Sequence, residues 1–357
     1  MKIISVIGAR PQFIKSAAFS KKNSDEKLFK EIIIHTGQHY DKNMSKIFFD
    51  QLSIPKPKYN LDINNKNHGE MTGEMMIKLE SLFIKENPKA ILVYGDTNST
   101  LAGALVAKKL KITLVHIESG LRSNNLEMPE EINRIVTDNI SNILFCPSQE
   151  SFDNLKNENI TNRADLVKIT GDIMYDSLKL FSNLKNNKFT ERNNKYCIVT
   201  IHREENTDNI KNLKNIVESI NKISKFIDII FPIHPRTLKK VQDFNLDFKS
   251  KVYLISPVGY VEMLHLVQNC EIVLTDSGGL QKEAYYLKKF CITLRKETEW
   301  KELVSSKVNY ITGSNKEKIL ESFHKLINKD FNSKKNIYGS GNSSEIILKS
   351  LKSHFKI

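Results

Sequence analysis

Short apolar runs alternate with helix-like segments along most of the 357-residue chain, and this alternation constrains the fold more than any other feature. Strands that alternate with helices form parallel sheets covered on both faces, so we expect an α/β protein. The predicted strands are Lys2–Ile7, Glu31–His35, Ala90–Tyr94, Thr113–Ile117, Ile143–Cys146, Leu166–Thr170, Tyr196–Thr200, Ile227–Ile233, Val252–Ile255, Ile272–Thr275 and Phe290–Leu294. The predicted helices include one that begins at Pro11 and others at Glu70–Lys85, Ser99–Leu110, Pro129–Ile140 and Gln149–Lys156.

A polar stretch, "NLKNNKFTERNNKY" at 183–196, has no apolar periodicity and interrupts the alternation. We interpret it as a linker between two similar α/β domains with a cleft between them. The predicted organisation is an N-terminal domain at 1–182, a linker at 183–195, a C-terminal domain at 196–342 and a last helix at 343–357 that could pack back on the first domain.

Composition excludes several classes of protein. No run of 18 or more apolar residues is present, and the N-terminal apolar stretch is too short for a signal peptide, so we expect a cytoplasmic protein without membrane insertion. The four cysteines stand singly, which disfavours disulfides and zinc. The formal net charge of +13 comes from scattered lysines without interleaved aromatic residues, so we expect no nucleic acid. A basic balance also suits a phosphorylated small molecule.

Acidic residues follow two neighbouring predicted strands. "ILVYGDTNST" places Asp96 after one strand, and "VHIESG" places Glu118 after the next. Ligands of open parallel sheets bind outside the carboxyl ends of the strands, where two adjacent carboxylates suit acid–base catalysis. In "MPEEINRIVTD", Glu131 adds a third acid and Arg134 follows it. Taken by itself, that last motif is better explained by an ordinary helix N-terminus with an i,i+3 ion pair.

Other strand ends carry groups that bind anions. "IGARPQFIK" combines a turn glycine and a helix start with Arg10, although a surface arginine on an ordinary turn remains possible. In the second half, "HREEN" contributes His202, "FPIHPR" contributes His234, and "VLTDSGGLQKEA" places glycines at a helix N-terminus. The combination predicts a diphosphate site, with Glu283 near the ribose of a nucleoside.

Familiar cofactor and metal motifs are missing from the sequence. GxGxxG, GxxxxGK[ST] and GxSxG do not occur, and no acidic cluster has the spacing of a calcium loop. We therefore expect neither a metal nor a cofactor.

The motifs together resemble a known family. "GARPQFIK", "HTGQHY", "GDTNSTLAGA", "HIESGLRS", "MPEEINR", "HREEN" and "LTDSGGLQKEA" occur in the order seen in non-hydrolysing UDP-N-acetylglucosamine 2-epimerases. The resemblance implies two Rossmann-like domains facing a cleft, as in glycosyltransferase-B-like folds, and a homodimer. It also implies inversion of C2 through elimination of UDP to a 2-acetamidoglucal and its re-addition, for precursors of cell-surface polysaccharides.

The resemblance also implies roles for individual residues. The acid–base set is Asp96, Glu118 and Glu131, with His202 assisting, and which carboxylate removes the proton is left open. The predicted substrate-binding set is Arg10, Lys15, Gln38, His39, Arg134, His234, Ser277, Gly278, Gly279 and Glu283.

Some residues depart from the pattern of the enzymes that act on UDP-N-acetylglucosamine. Gln12 stands where "GTRPE" has Glu, and "ETEWKEL" with Trp300 stands where members often carry "ERPE". Tyr40 follows Gln38 and His39 where the family's allosteric site has Arg. The stretches "GARPQF", "PVGYVEM", "QKEAYY" and "TEWKEL" look more like the branch that epimerises UDP-2,3-diacetamido-2,3-dideoxyglucuronate. A glycosyltransferase, a hydrolysing epimerase and a non-catalytic nucleotide-sugar-binding protein are the alternative functions.

Overall fold

A computed structural model of the chain describes residues 1–38, 55–182, 194–332 and 336–357. The chain divides into two compact units, the first formed by Met1–Leu180 and Asn336–Ile357 and the second by Phe181–Lys335. Most of the predicted linker at 183–195 lies outside the described residues.

The first unit contains a seven-stranded parallel sheet in the order β3-β2-β1-β4-β5-β6-β7. Its strands are β1 (Lys2–Ile7), β2 (Lys30–His35), β3 (Tyr59–Asn60), β4 (Ala90–Tyr94), β5 (Thr113–Ile117), β6 (Ile143–Cys146) and β7 (Leu166–Ile169). Its helices are α1 (Arg10–Glu26), α2 (His68–Glu86), α3 (Asn98–Lys109), α4 (Pro129–Ile140), α5 (Gln149–Asn157) and α6 (Ile173–Ser182), which crosses the division between the units.

The second unit contains a six-stranded parallel sheet in the order β10-β9-β8-β11-β12-β13. Its strands are β8 (Tyr196–Thr200), β9 (Asp228–Pro232), β10 (Val252–Ile255), β11 (Ile272–Thr275), β12 (Phe290–Thr293) and β13 (Asn309–Ile311). Its helices are α7 (Glu204–Thr207), α8 (Ile210–Ile223), α9 (Pro235–Asp243), α10 (Tyr260–Asn269), α11 (Gly278–Tyr286), α12 (Lys301–Ser305) and α13 (Lys316–Leu326); α14 (Ser343–Phe355) returns to the first unit.

Both sheets have the strand order of a doubly wound Rossmann fold, which confirms the predicted α/β class. The central strands are buried along their whole length, so their continuous apolar runs made them visible in the sequence. The edge strands β3 and β13 were not predicted, because two and three residues are too short for an apolar pattern. In each sheet the strand order reverses beside the first strand, and this switch point is where such folds bind ligands.

The C-terminal segment is fixed to the first unit by Asp176 on α6. Its carboxylate accepts hydrogen bonds from the backbone N–H groups of Ser343 and Ser344, at 3.0 and 2.7 Å, and so caps the first turn of α14. The preceding residues also group with the first unit, since the carbonyl of the buried Tyr338 accepts from the Asp172 N–H at 2.9 Å. Residues 336–342 therefore group with the first unit.

Among the described residues, hydroxyl groups rather than cations contact the carboxyl group of Glu31 on β2. It accepts hydrogen bonds from Ser5 at 2.5 Å and Ser20 at 3.0 Å, and its buried Oε2 has no hydrogen-bond partner within the described ranges. Burial raises the pKa of Glu31 to about 7, while the two serine hydroxyls oppose that rise. The protonated carboxyl group therefore contributes stability that is fully present below the ordinary pKa of 4.5 and is lost as the pH rises through about 7.

We expect Glu31→Gln to flatten the pH dependence of stability between pH 5 and 8. At pH 8 the variant should exceed the wild type in free energy of unfolding by about 3 kcal/mol, because each unit of pKa difference corresponds to about 1.4 kcal/mol. Urea unfolding at several pH values measures this, with Glu80→Gln on the exposed face of α2 as the matched control. Parallel curves for wild type and Glu31→Gln would contradict the prediction.

Candidate active site

Glycines shape the turns that carry the acidic side chains of the first unit. Gly95 follows β4 with φ +63°, and a Cβ at this position would lie 3.1 Å from Lys15 Nζ and 3.5 Å from Glu118 Oε1. At the end of β1, a Cβ on Gly8 would overlap the hydroxyl oxygens of Ser99 and Thr36, both at 2.1 Å. The ends of β1, β2, β4 and β5 therefore meet closely at the switch point of this sheet.

Arg134 on α4 joins two of the three predicted acids. Its Nη2 donates to Asp96, and its Nη1 donates to Glu131 Oε2 at 2.5 Å. The arginine is buried, while the Asp96 side chain is 27% exposed. The i,i+3 ion pair expected from the sequence is thus present, and the same guanidinium also neutralises an acid on another element.

Glu118 forms a buried ion pair with Lys15 of α1. It follows β5 with φ +70°, a left-handed conformation that is uncommon for a residue with a side chain. The N–H groups of Glu118 and Ser119 both donate to the Phe145 carbonyl, at 3.1 and 3.0 Å, which turns the chain at the end of the strand. Local strain of this kind concentrates at functional sites.

Glu131 is completely buried at the start of α4. Its carboxylate accepts from the Ser123 and Asn124 N–H groups, with Asn124 at 2.8 Å, in addition to Arg134. Burial alone would raise the pKa of Glu131, but the backbone donors and the guanidinium outweigh it and lower the pKa below its ordinary value. Its oxygens are occupied, so Glu131 is better placed to hold the 123–124 loop than to exchange a proton.

Arg10 is half-buried in the first turn of α1. The neighbouring N–H groups of Gly8 and Ala9 donate to Gln12 Oε1 at 2.8 and 3.1 Å. The amide nitrogen of Gln12 in turn donates to the Tyr94 carbonyl at 2.8 Å. The N–H groups of Gly8 and Ala9 thus bind a side chain of α1. Through its two contacts, Gln12 connects the turn after β1 to the end of β4.

Gln38 lies at the same edge of the sheet. Its Oε1 accepts from the Ser99 hydroxyl at 2.9 Å, at the beginning of α3. His39, the next residue of the predicted binding set, lies outside the described residues.

In the second unit, the buried Asp276 organises the loop that carries His202. Its carboxylate accepts from the N–H groups of His202 and Arg203, the latter at 3.0 Å, and from the side chain of Asn206 at 3.1 Å. Desolvation, Arg203 and His234 lower the pKa of His202, although Asp276 opposes them. A neutral imidazole that can donate or accept a proton is therefore favoured at neutral pH.

The other predicted residues of the second unit also follow strand ends. Ser277 is the N-cap of α11, its hydroxyl accepting from the Leu280 N–H, and Gly278 and Gly279 form the first turn. A Cβ on Gly278 would lie 2.5 Å from Glu299 Oε1, whereas one on Gly279 would meet nothing within 4 Å. Glu283 is buried on the same helix.

His234 is the exposed N-cap of α9, and its Nδ1 accepts from the Arg236 N–H at 3.2 Å. A neutral His234 therefore carries its proton on Nε2.

Sequence reasoning missed several residues that organise these two sets. Backbone N–H groups of the loops that carry the predicted site residues donate to the side chains of Gln12, Asp138 and Asp276, and Arg122 donates to Asp138. Asp276 lies within the motif "VLTDSGGLQKEA", but the spacing of that motif does not predict its hydrogen bonds to His202, Arg203 and Asn206. Among residues 1–38, 55–182, 194–332 and 336–357, no group of three or more His, Cys, Asp or Glu side chains could hold a metal ion.

The profile of a protein family described as UDP-N-acetylglucosamine 2-epimerase matches residues 21–352. The chain belongs to this family. Its members are isomerases, which confirms the resemblance and the enzyme class predicted from the motifs. No helix in the described ranges is long and apolar enough to cross a membrane.

Individual members of the epimerase family are similar over nearly the whole chain. The UDP-2,3-diacetamido-2,3-dideoxy-D-glucuronate 2-epimerase of Pseudomonas aeruginosa is 47% identical, covering 98% of this chain and 99% of its own. A UDP-N-acetylglucosamine 2-epimerase homolog of Methanococcus maripaludis is 51% identical, covering 99% of each chain. The crystal structure of Methanocaldococcus jannaschii UDP-GlcNAc 2-epimerase in complex with UDP-GlcNAc and UDP superposes with a TM-score of 0.89 at 44% identity, covering 99% of this chain and 100% of that one.

Proposed function

We propose that this family member inverts C2 of a UDP-bound 2-acetamido sugar without hydrolysing it, as in the conversion of UDP-N-acetylglucosamine to UDP-N-acetylmannosamine. The observation that carries the proposal is the convergence of Asp96, Glu118 and Glu131 on one edge of the first sheet, with Lys15 and Arg134 as counter-ions. Solved relatives with bound UDP-N-acetylglucosamine support the substrate class.

The proposed reaction has two balanced steps. A carboxylate removes the C2 proton while the bond from C1 to the β-phosphate oxygen breaks, which yields a 2-acetamidoglucal and UDP. A carboxylic acid then delivers a proton to the opposite face of C2 while the phosphate oxygen attacks C1. We assign these proton transfers to Asp96 and Glu118, in either order, because Glu131 is saturated with donors.

The second unit supplies the proposed UDP site. Gly278 and Gly279 offer N–H groups at the N-terminus of α11, which Ser277 caps, and such groups bind a diphosphate well. His202 and His234 follow two further strands of the same sheet, and the neutral imidazole of His202 would donate a hydrogen bond to the leaving UDP. Glu283 would accept hydrogen bonds from ribose hydroxyls. We further propose a cytoplasmic homodimer, in keeping with the family resemblance.

A second candidate substrate is UDP-2,3-diacetamido-2,3-dideoxyglucuronate, favoured by the name of the Pseudomonas relative. Trp300, one of the departures from the UDP-N-acetylglucosamine pattern, is buried against α11: its Nε1 donates to the Gly278 carbonyl at 2.9 Å, and Lys282 Nζ lies 4.0 Å from its ring centroid. The reaction at C2 would be the same for either sugar.

The proposal is tested by incubating the protein with each UDP-sugar and no acceptor. We expect the C2 epimer to appear by proton NMR while the total UDP-sugar stays constant. A glycosyltransferase would leave the sugar unchanged, and a hydrolysing epimerase would accumulate free UDP and sugar. Either of those results would contradict the proposal.

A further inference from the structure

His116 lies on β5, two residues before Glu118, and is completely buried. Its Nε2 lies 2.8 Å from the Gly95 carbonyl oxygen, and its Nδ1 lies 2.7 Å from Asp138 Oδ1. A carbonyl oxygen only accepts hydrogen bonds, so Nε2 carries a proton. The ring thus holds the residue that immediately precedes Asp96.

Asp138 on α4 is ionised in this environment. Its Oδ2 accepts from the Gly120 N–H at 3.1 Å and from Arg122 Nη1 at 2.7 Å. Burial opposes ionisation, but His116 and Arg122 lower the pKa of Asp138 below its ordinary value. The Oδ1 of this carboxylate lies 2.7 Å from His116 Nδ1, so both ring nitrogens of His116 contact partners on other elements.

These contacts form a closed ring of hydrogen bonds that includes Asp96 and Glu131. From Asp96 the hydrogen bonds run through Arg134 to Glu131, and from Glu131 to the N–H groups of residues 123 and 124. The backbone connects residue 123 to Arg122, which donates to Asp138. Asp138 contacts His116, and His116 contacts the carbonyl of Gly95, the residue before Asp96. All three candidate acids belong to this ring or to the loop that it encloses.

Stability alone does not account for this buried network of His116, Asp138 and Arg122. A hydrophobic residue of similar volume commonly replaces a buried ion pair at no cost in stability. The polar network instead fixes the direction of two turns, and a misplacement of about 1 Å near a reacting group costs on the order of 10²-fold in rate. Directional hydrogen bonds to the Gly95 carbonyl and the Gly120 N–H supply that precision.

We propose that His116 and Asp138 are positioning residues for proton transfer at C2, holding the turns that bear Asp96 and Glu118 in register. The inference rests on the proposed function and deepens it. His116 acts through the Gly95 carbonyl and Asp138 through the Gly120 N–H, and neither takes part in proton transfer itself.

The test compares His116→Asn and Asp138→Asn with the wild type, measuring deuterium incorporation at C2 of the UDP-sugar that the wild type epimerises. We expect kcat to fall by about 10²-fold in each variant, with UDP affinity by calorimetry unchanged within twofold. His35→Asn is the matched control, because it removes another buried histidine of the same sheet whose hydrogen bond to Asn60 lies outside the ring. Rates are normalised to the folded fraction from circular dichroism.

A double-mutant cycle separates positioning from a general loss of stability. If His116 acts through Asp96, both substitutions affect the same step. The double variant should then have a kcat less than about threefold below that of Asp96→Asn alone. Independent losses that multiply, or single variants that keep the wild-type rate, would overturn the inference alone. A wild-type protein that exchanges no C2 hydrogen in any UDP-2-acetamido sugar would overturn the proposed function and this inference together.

Discussion

Replacing Asp96 by Asn should lower kcat for C2 epimerisation by about 10²- to 10⁴-fold, the range typical of a lost general acid or base. The amide keeps the size of the side chain but cannot exchange a proton with C2. Asp96 is partly exposed and lies at the switch point of the first sheet, so the substitution should leave the fold intact. Initial rates of epimerisation by proton NMR measure the effect, and UDP affinity should be unchanged.

Glu118→Gln should produce a loss of similar size, because two faces of C2 require two groups that exchange protons. Glu118 pairs with Lys15, so the glutamine variant leaves a buried ammonium group without its counter-charge and should also unfold at a lower temperature. Thr72→Ala on α2 is the control substitution and should keep the wild-type rate. Among the described contacts, the Thr72 hydroxyl donates only to the His68 carbonyl. Either acid variant turning over at the wild-type rate would contradict the assigned roles.

Removing the guanidinium with Arg134→Gln should destabilise the protein by about 3 kcal/mol and also abolish most of the activity. The change leaves Asp96 and the buried Glu131 without the cation that joins them, and breaking a buried ion pair from one side costs about 3–5 kcal/mol. The guanidinium helps to lower the pKa of Glu131, so the stability that this carboxylate contributes above its ordinary pKa should shrink in the variant. Urea unfolding at neutral pH measures the destabilisation, and unfolding at pH values below the ordinary pKa of 4.5 measures the change in the contribution of Glu131.

Arg134→Lys is the matched control for charge. A lysine keeps the positive charge but cannot direct separate nitrogens at two carboxylates, so stability should recover in part while activity stays low. Equal stability of Arg134→Gln and the wild type would show that the two ion pairs contribute nothing to folding. Full activity of Arg134→Lys would show that the bridging geometry is unnecessary.

Residues that follow central strands were the most predictable part of the site. Asp96 and Glu118 come directly after buried apolar runs, and the carboxyl ends of parallel strands share one edge. Ser277 and the glycines after it were found by the same rule in the second sheet. Local patterns identified these residues because each depends on its own strand and the turn that follows.

Partners on different elements could not be predicted in the same way. His116 and Asp138 are 22 residues apart on a strand and a helix, and periodicity says which element a residue lies on but not which side chain it meets. Gln12 marked a departure from the family pattern, yet only the structure shows that it binds the Gly8 and Ala9 N–H groups. The roles assigned to all these residues, and the domain limits at 182 and 196, remain predictions.

The most direct test of the central claim is proton NMR of the wild-type protein in D₂O with UDP-N-acetylglucosamine and, separately, the diacetamido uronate. The account predicts that deuterium enters C2 of at least one sugar in both the substrate and its epimer, without net release of UDP. Epimerisation that keeps the original hydrogen at C2, or no exchange with either sugar, would contradict it.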